Sequence, residues 1–255
     1  MKTVLVTGAN KGIGLAVVEA ILRDQPQITV IIGSRDMRRG NAARESLLQI
    51  DLNWCDRVAV LELDVGCDRS VSVARQTFAA HGGGDAPAPA LYGLVNNAGL
   101  GTGTMEQVLN VNVHGIHRVC EAFAPLLERE GRIVNVTSAS GPNFVANCDP
   151  ARQDFFRDPD MSWERLSKFM QDCQQLAAAE FLSLGMASDS PYGLSKACAN
   201  SYTMHLARSH PQLAANACTP GFIETDLGKD FLGARTPQEA GMKTPAEGAR
   251  VIMSL

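Results

Sequence analysis

Three side chains in the second half of the sequence could move a proton. Tyr192 and Lys196 are four residues apart in a segment with helical spacing, so they would share one face of a helix. A phenol has an ordinary pKa of about 10, and a neighbouring ammonium group favours its ionised form. Ser138 ends an apolar run, where its hydroxyl could hydrogen-bond a substrate oxygen. Together these groups predict a site that gives a proton to an oxygen gaining negative charge, as when hydride is added to a carbonyl.

The elements that must position these side chains alternate along the chain. Apolar runs predict six strands, at residues 3–6, 28–32, 58–63, 91–95, 132–136 and 214–218. Helical patterns lie between or after them, at 13–21, 38–52, 70–80, 105–127 and 192–208. Strands that alternate with helices predict a doubly wound α/β fold of the Rossmann type, a parallel sheet with helices on both faces.

Two segments interrupt this alternation. Residues 81–89 mix glycine with proline and predict a loop. Residues 142–189 form an insertion before Tyr192, and its second half carries an amphipathic stripe that predicts a helix packed against the domain. The stripe consists of Leu166, Phe169, Met170, Cys173, Leu176, Ala177 and Phe181. We therefore expect a single domain over residues 1–255 with an inserted helical segment, which could wall a substrate pocket or mask a surface.

A glycine-rich turn joins the first predicted strand to the first predicted helix. It contains Gly8, Gly12 and Gly14. Glycine permits a sharp turn and lets a pyrophosphate approach the amide groups at the helix amino terminus, where the helix dipole favours negative charge. Glycines also mark ordinary turns, but the strand and helix on either side favour a dinucleotide site.

Residues after the second predicted strand indicate which dinucleotide would bind. Sites for NAD place an acidic residue roughly 20 positions beyond the glycines, where it binds the ribose hydroxyls. Ser34 occupies this region, and Arg35, Arg38 and Arg39 follow it. A guanidinium pairs with phosphate through directed, charge-assisted bonds, so the sequence favours NADP. Two alternatives stay open: the arginines could be a solvated helix start, and Asp36 could be the acidic residue of an NAD site.

Composition argues against several other classes of protein. The 255 residues are 45% hydrophobic and 20% charged with a net charge of −4, which is ordinary for a globular protein and gives no electrostatic reason to expect nucleic acid or an anionic membrane as a partner. No apolar run approaches the roughly 20 residues of a membrane span, and we expect no signal peptide. Seven scattered cysteines without a CxxC pair predict reduced thiols, no metal site and a cytoplasmic location.

Seven motifs occur in a characteristic order. They are Thr7-Gly-Ala-Asn-Lys-Gly-Ile-Gly14, Leu63-Asp64-Val65, Asn96-Asn97-Ala98-Gly99, Asn110-Val-Asn112-Val, Val136-Thr-Ser138, Tyr192-Gly-Leu-Ser-Lys196 and Pro220-Gly-Phe-Ile-Glu-Thr225. Together they closely resemble the short-chain dehydrogenase/reductase family, over nearly the whole chain. Asn10-Lys11, Arg35-Asp36 and the long insertion resemble the carbonyl reductase-like subgroup, which includes the menthone and salutaridine reductases of plants.

The resemblance implies a role for each motif. Residues expected to hold NADP(H) are Gly8, Asn10, Lys11, Gly12, Ile13, Gly14, Arg35, Arg39, Asp64, Val65, Asn97, Ala98, Gly99, Tyr192, Lys196, Pro220, Gly221 and Thr225. Tyr192, Lys196 and Ser138 are expected to be catalytic, and Asn112 is implied to hold the water of the proton relay. Because such an insertion covers the helices that other members use for dimerisation, we expect a monomer. Its expected activity is the reduction of a small ketone, aldehyde or quinone with NADPH.

The sequence departs from the family pattern in two places. The connection between Gly99 and Asn112 is about half a helix shorter than the pattern has, so Asn110 stays an alternative to Asn112. The helix that starts near Thr244 is not followed by the last strand of the pattern, so we expect a sheet one strand short. Either feature could open the pocket or lower stability.

Other functions stay open at this point. The shortened connection would suit a protein that binds NADP without catalysis, such as a redox sensor. A lyase on the same scaffold would not need the dinucleotide, but the glycines and Lys196 argue against it. The substrate is not fixed by the sequence, although four side chains suggest an apolar pocket: Phe144, Met186, Phe222 and Phe231.

Overall fold

Six strands form one parallel sheet in the computed structural model, which describes residues 2–80 and 90–255. The strands are β1 Lys2–Thr7, β2 Ile28–Ser34, β3 Val58–Glu62, β4 Leu91–Asn96, β5 Leu127–Val136 and β6 Ala214–Cys218. Their order across the sheet is β3-β2-β1-β4-β5-β6, and every neighbouring pair is parallel. Winding reverses between β1 and β4, which opens a crevice at the carboxyl ends of the strands. The predicted fold is confirmed, whereas the predicted loop at 81–89 lies outside the described residues.

Helices cover both faces of the sheet. They are α1 Gly12–Asp24, α2 Met37–Ile50, α3 Asp68–Ala80, α4 Met105–Leu109, α5 Gly115–Phe123, α6 Ser140–Ala146, α7 Pro150–Arg157, α8 Trp163–Gln175, α9 Ala178–Ser183, α10 Pro191–Ser209, α11 Asp226–Lys229 and α12 Pro245–Met253. Successive side chains of β1 point to opposite faces of the sheet and therefore pack in two different cores. Leu5 packs in the core that contains Phe123, and Val4 and Val6 pack in the core that contains Val17. None of the described helices has both the length and the apolar character needed to cross a membrane.

The predicted helical region at 105–127 is confirmed except at its last residue, but it is not one continuous α-helix. A π-helical turn at Asn110–His114 separates α4 from α5, and a short 3-10 turn follows α5. Pro125 has no amide hydrogen to continue the helical bonding, so α5 ends at Phe123 and β5 begins at Leu127.

The insertion contains several helices where the sequence predicted one. The amphipathic stripe is divided between α8 and α9 because the side chain of Glu180 accepts a hydrogen bond from the amide of Ala177 at 2.6 Å, which starts a new helix. The stripe nevertheless packs as predicted, since four of its side chains are buried in the core: Leu166, Met170, Cys173 and Phe181.

Candidate active site

A cleft of about 920 Å³ opens at the carboxyl ends of the strands. Its walls are the turn after β1, the ends of β2 to β5, the start of α10 and the segment after β6. All but two of the predicted site residues line it: Gly8, Asn10, Lys11, Gly12, Ile13, Arg35, Arg39, Asp64, Val65, Asn97, Ala98, Gly99, Ser138, Tyr192, Lys196, Pro220, Gly221 and Thr225. The exceptions are Gly14 and Asn112, which are buried behind this lining.

Glycines shape the turn between β1 and α1. Gly8 and Gly12 have φ angles of +63° and +58°, in the left-handed region that favours glycine. A Cβ atom on Gly14 would lie 2.5 Å from Nδ2 of Asn97, so this approach also requires glycine. Asn97 donates from Nδ2 to the carbonyl oxygen of Thr7 at 2.9 Å, which ties the end of β4 to the end of β1.

The amino terminus of α1 is suited to an anion. Lys11 precedes the helix without capping it through its side chain, and no acidic residue occupies the first turn. The first amide groups therefore meet no side-chain acceptor, and the helix dipole favours negative charge there. The turn fits the pyrophosphate of a dinucleotide. Lys11 is paired with Asp226, the first residue of α11, at an Nζ to Oδ2 distance of 2.5 Å.

The end of β2 brings two arginines and one carboxylate to the cleft. Arg35 and Arg39 line it, as does Asp36, whereas Arg38, which the sequence also suggested, does not. The Oδ1 atom of Asp36 accepts hydrogen bonds from the amides of Arg38 and Arg39 at 2.9 and 3.2 Å, so the carboxylate caps α2. The bond from the Arg39 amide is the main cause of a lowered pKa at Asp36. The carboxylate is thus ionised and already used by the fold.

The segment after β6 lies against the glycine turn. Thr225 caps α11 by accepting a hydrogen bond from the amide of Gly228 at 3.1 Å. Its Cγ2 atom would be 3.2 Å from a Cβ atom on Gly12. A ligand on the glycine turn would therefore meet this segment as well.

Tyr192 and Lys196 lie on the same face of α10. Ser190 caps this helix and Pro191 occupies its first turn, which fixes the position of Tyr192. The Nζ atom of Lys196 is 5.6 Å from the centre of the Tyr192 ring and donates a hydrogen bond to the carbonyl oxygen of Val136 at 3.0 Å. Burial lowers the pKa of Lys196 to about 8. Burial also raises the pKa of Tyr192, and a hydrogen bond with Ser138 opposes that increase.

Ser138 reaches Tyr192 because α6 packs closely on α10. A Cβ atom on Gly141 would lie 2.7 Å from the carbonyl carbon of Lys196, so glycine is required where the two helices meet. The Oγ atom of Ser138 is 3.2 Å from Oγ of Ser140 and accepts a hydrogen bond from the amide of Ser140 at 3.1 Å. The Ser138 hydroxyl is therefore oriented by the hydroxyl and the amide of Ser140, two residues further along the chain.

Asn112 supports the cleft from behind. It lies in the π-helical turn, where its side chain bonds both the amide and the carbonyl of Leu100, at 2.8 and 2.9 Å, and the Ser195 hydroxyl at 3.0 Å. Asn110 is turned elsewhere, since its Nδ2 donates to the carbonyl oxygen of Gly66 at 3.1 Å. Of the two asparagines, Asn112 is therefore the one next to the cleft; its role in a proton relay stays a prediction.

The apolar pocket suggested by the sequence is only partly present. Phe222 and Phe231 line the cleft, but Phe144 and Met186 are buried in the core, so the suggestion was wrong for these two. Cleft residues that the motifs did not single out include Leu100, Gly101, Ser140, Asn143 and Leu227. The positions of Leu100, directly after Gly99, and of Ser140, two residues after Ser138, could have pointed to two of them.

Known proteins resemble the chain over most of its length. Residues 2–149 match the family described as short chain dehydrogenase. Carbonyl reductase (NADPH) 3 of Rattus norvegicus is 31% identical, over 96% of this chain and 89% of that relative. The structure of salutaridine reductase from Papaver somniferum matches with a TM-score of 0.82 at 24% identity, over 100% and 96% of the two chains. Menthone neomenthol reductase from Mentha piperita matches with a TM-score of 0.70 at 27% identity, over 85% and 88%.

Proposed function

The chain belongs to the short-chain dehydrogenase/reductase family and is an oxidoreductase, and from this premise we propose that it reduces the carbonyl group of a small ketone, aldehyde or quinone with NADPH. The observation that carries the proposal is that Ser138, Tyr192 and Lys196 share one cleft with a glycine turn suited to a pyrophosphate. The similarity to a protein named as an NADPH carbonyl reductase supports the choice of cofactor and reaction.

The residues that would hold the cofactor surround the cleft from β1 to β6. The glycine turn and the start of α1 would bind the pyrophosphate, and Arg35 and Arg39 would pair with the 2′-phosphate. Asp36 is engaged as the cap of α2, which supports a preference for NADP over NAD. Asp64 and Val65 would lie beside the adenine, and the segment from Pro220 to Thr225 beside the nicotinamide.

The side chains of the site would complete the reduction by supplying a proton. Bound NADPH would deliver a hydride to the carbonyl carbon. Tyr192 would give its phenolic proton to the carbonyl oxygen, which becomes the hydroxyl of the alcohol. Lys196 would stabilise the phenolate left behind and bind the nicotinamide ribose. Ser138 would donate a hydrogen bond to the same oxygen, and Asn112 would hold the water that returns a proton to the site.

The proposal includes a single NADP-binding domain over residues 1–255 that acts as a monomer. The inserted segment supports this, because α8 docks on helices of the domain: the ring of Trp163 stacks on His117 of α5 with a centroid distance of 3.6 Å. It also contacts Tyr202 of α10 with a centroid distance of 5.4 Å. Size-exclusion chromatography with light scattering tests the monomer, and a dimer or tetramer would overturn it.

Turnover of NADPH and NADH with a panel of ketones, aldehydes and quinones tests the proposed function. We expect NADPH to be oxidised with at least one carbonyl compound, faster than NADH, with equal amounts of alcohol formed. Saturable NADPH binding without turnover on any member of the panel would replace the proposal with a cofactor-binding protein or redox sensor.

A further inference from the structure

An aromatic ring lies beside the proposed proton donor on the open side of the cleft. The ring centres of Phe231 and Tyr192 are 5.2 Å apart, with an angle of 41° between the planes. Phe231 lines the cleft and is 42% exposed. Apolar surface left exposed next to a reactive group is favourable to bury against a ligand.

The fold holds Phe231 in place from two sides. Its amide donates to the carbonyl oxygen of Gly228 at 3.1 Å, which fixes it to the end of α11. Gly228 is itself constrained, because a Cβ atom there would lie 2.1 Å from the carbonyl oxygen of Ile223. On the other side, a Cβ atom on Gly101 would lie 2.9 Å from Cγ of Leu227 and 3.1 Å from Cε2 of Phe231. The short segment after Gly99 therefore leaves room for these two side chains.

The resulting wall is apolar where it faces Tyr192. Leu227 and Phe231 line the cleft there, and Ser140 and Asn143 of α6 are also part of the lining. Charged residues of this segment also line the cleft: Glu224, Asp226, Lys229 and Asp230. Lys229 pairs with Glu224 at 3.5 Å, and Asp226 pairs with Lys11. A carbonyl compound held by Ser138 and Tyr192 would thus place an apolar substituent against Phe231.

We propose that Phe231 is a specificity-determining residue that binds the ring-bearing, uncharged flank of the carbonyl substrate beside Tyr192. This inference rests on the proposed function. The substrates that Phe231 favours are carbonyl compounds that carry an aryl or similar flat apolar group within reach of the reacting carbon. Small aliphatic ketones have no group to cover the ring and gain nothing from it.

Two methyl ketones with the same type of carbonyl separate binding of the flank from the chemistry: 4-phenylbutan-2-one and butan-2-one. Phe231→Ala should lower kcat/KM for 4-phenylbutan-2-one about tenfold, through KM, because the apolar contact area is lost. The value for butan-2-one should change less than about twofold by the same reasoning. Phe231→Tyr keeps the ring and should therefore keep the preference for 4-phenylbutan-2-one over butan-2-one. Leu232→Ala removes the adjacent side chain, which lies outside the cleft lining, and should leave kcat/KM for both ketones unchanged.

Equilibrium binding of 4-phenylbutan-2-one to the protein loaded with NADP⁺ supplies a second readout that does not need turnover. We expect Phe231→Ala to weaken this binding about tenfold while the affinity for NADP⁺ stays the same. If Phe231→Ala lowered kcat/KM equally for both ketones, or left the binding of 4-phenylbutan-2-one unchanged, the role of Phe231 would be overturned. Absence of wild-type turnover combined with ring-dependent binding would instead contradict the proposed function and leave Phe231 as a ligand-binding residue.

Discussion

Lys196 and Val136 are joined by a hydrogen bond of 3.0 Å, from the Nζ atom to the carbonyl oxygen, in the floor of the cleft. The bond satisfies the ammonium group, but burial still lowers the pKa of Lys196 to about 8. Burying the Lys196 ammonium next to Tyr192 therefore lowers the free energy of unfolding, as expected of a group retained for chemistry rather than stability.

This cost predicts how stability depends on pH. The unfolded chain holds the Lys196 proton up to its ordinary pKa of 10.5, whereas the folded protein releases it near pH 8. Above pH 8 the unfolded state therefore binds more protons, and Lys196 makes the free energy of unfolding rise with pH. In urea titrations from pH 7 to pH 10, we expect wild type to gain stability relative to Lys196→Met, by a few kcal/mol.

Exposed Lys168 provides the control for that titration. Its side chain is 70% exposed, so wild type and Lys168→Met should keep a constant stability difference over the same range. A constant difference between wild type and Lys196→Met would show that Lys196 keeps an ordinary pKa in the folded protein.

The arginines at the end of β2 should set the choice of cofactor. Arg35→Ala and Arg39→Ala should each weaken NADPH binding roughly tenfold and leave NADH binding unchanged, because a charge-assisted bond to the 2′-phosphate is lost. Arg38→Ala is the matched control, since the Arg38 side chain is 95% exposed and does not line the cleft. Fluorescence titration with both cofactors measures this, and equal effects on NADPH and NADH would contradict it.

Gly14 should be intolerant of any side chain. Gly14→Ala would place a methyl group 2.5 Å from Nδ2 of Asn97, so the turn must shift and NADPH binding should fall at least tenfold. We expect a loss of roughly 1–3 kcal/mol in the free energy of unfolding as well. Gly241→Ala is the comparison, because Gly241 has a φ of +64° but no atom within 4 Å of the added Cβ. It should lose stability through backbone strain alone and bind NADPH normally.

Docking of the inserted segment should weaken in acid. Burial is the main cause of a pKa of about 4 at His117, with the nearby charges of His114, His205 and Arg118 acting in the same direction and Glu164 opposing them. Its ring stacks on Trp163. The unfolded chain takes up the proton from about pH 6.5 downward, so stability is lost as pH falls from about 6.5 to about 4.

A phenylalanine at this position separates titration from packing. His117→Phe keeps a ring for Trp163 but cannot be protonated, so its urea midpoint should fall less than that of wild type between pH 7 and pH 5. Identical declines in the two proteins would assign the acid sensitivity to other groups.

The fold was predictable from sequence because most strands are short apolar runs closed by a turn, although the charged first half of β5, from Leu127, was not recognised as strand. The site residues of the motifs were predictable for a related reason. Most of them follow the carboxyl end of a strand, and in a parallel sheet these ends lie at the same edge. The break between α8 and α9 was not, because it depends on one bond between Glu180 and Ala177 and not on a glycine or proline. The contact of Phe231 with Tyr192 depends on the approach of α11 to Gly101, which no periodicity encodes.

The measurement that tests the proposed activity most directly is transfer of deuterium from NADPH labelled at both C4 positions of the nicotinamide. With wild type and 4-phenylbutan-2-one, we predict one deuterium at the carbinol carbon of the alcohol for each NADPH oxidised. Tyr192→Phe should slow this transfer by about 10²- to 10⁴-fold while NADPH affinity and the unfolding midpoint stay close to wild type. Label transfer at an unchanged rate in Tyr192→Phe would contradict the role of Tyr192 as proton donor, and NADPH oxidation without label in the alcohol would contradict the proposed reduction.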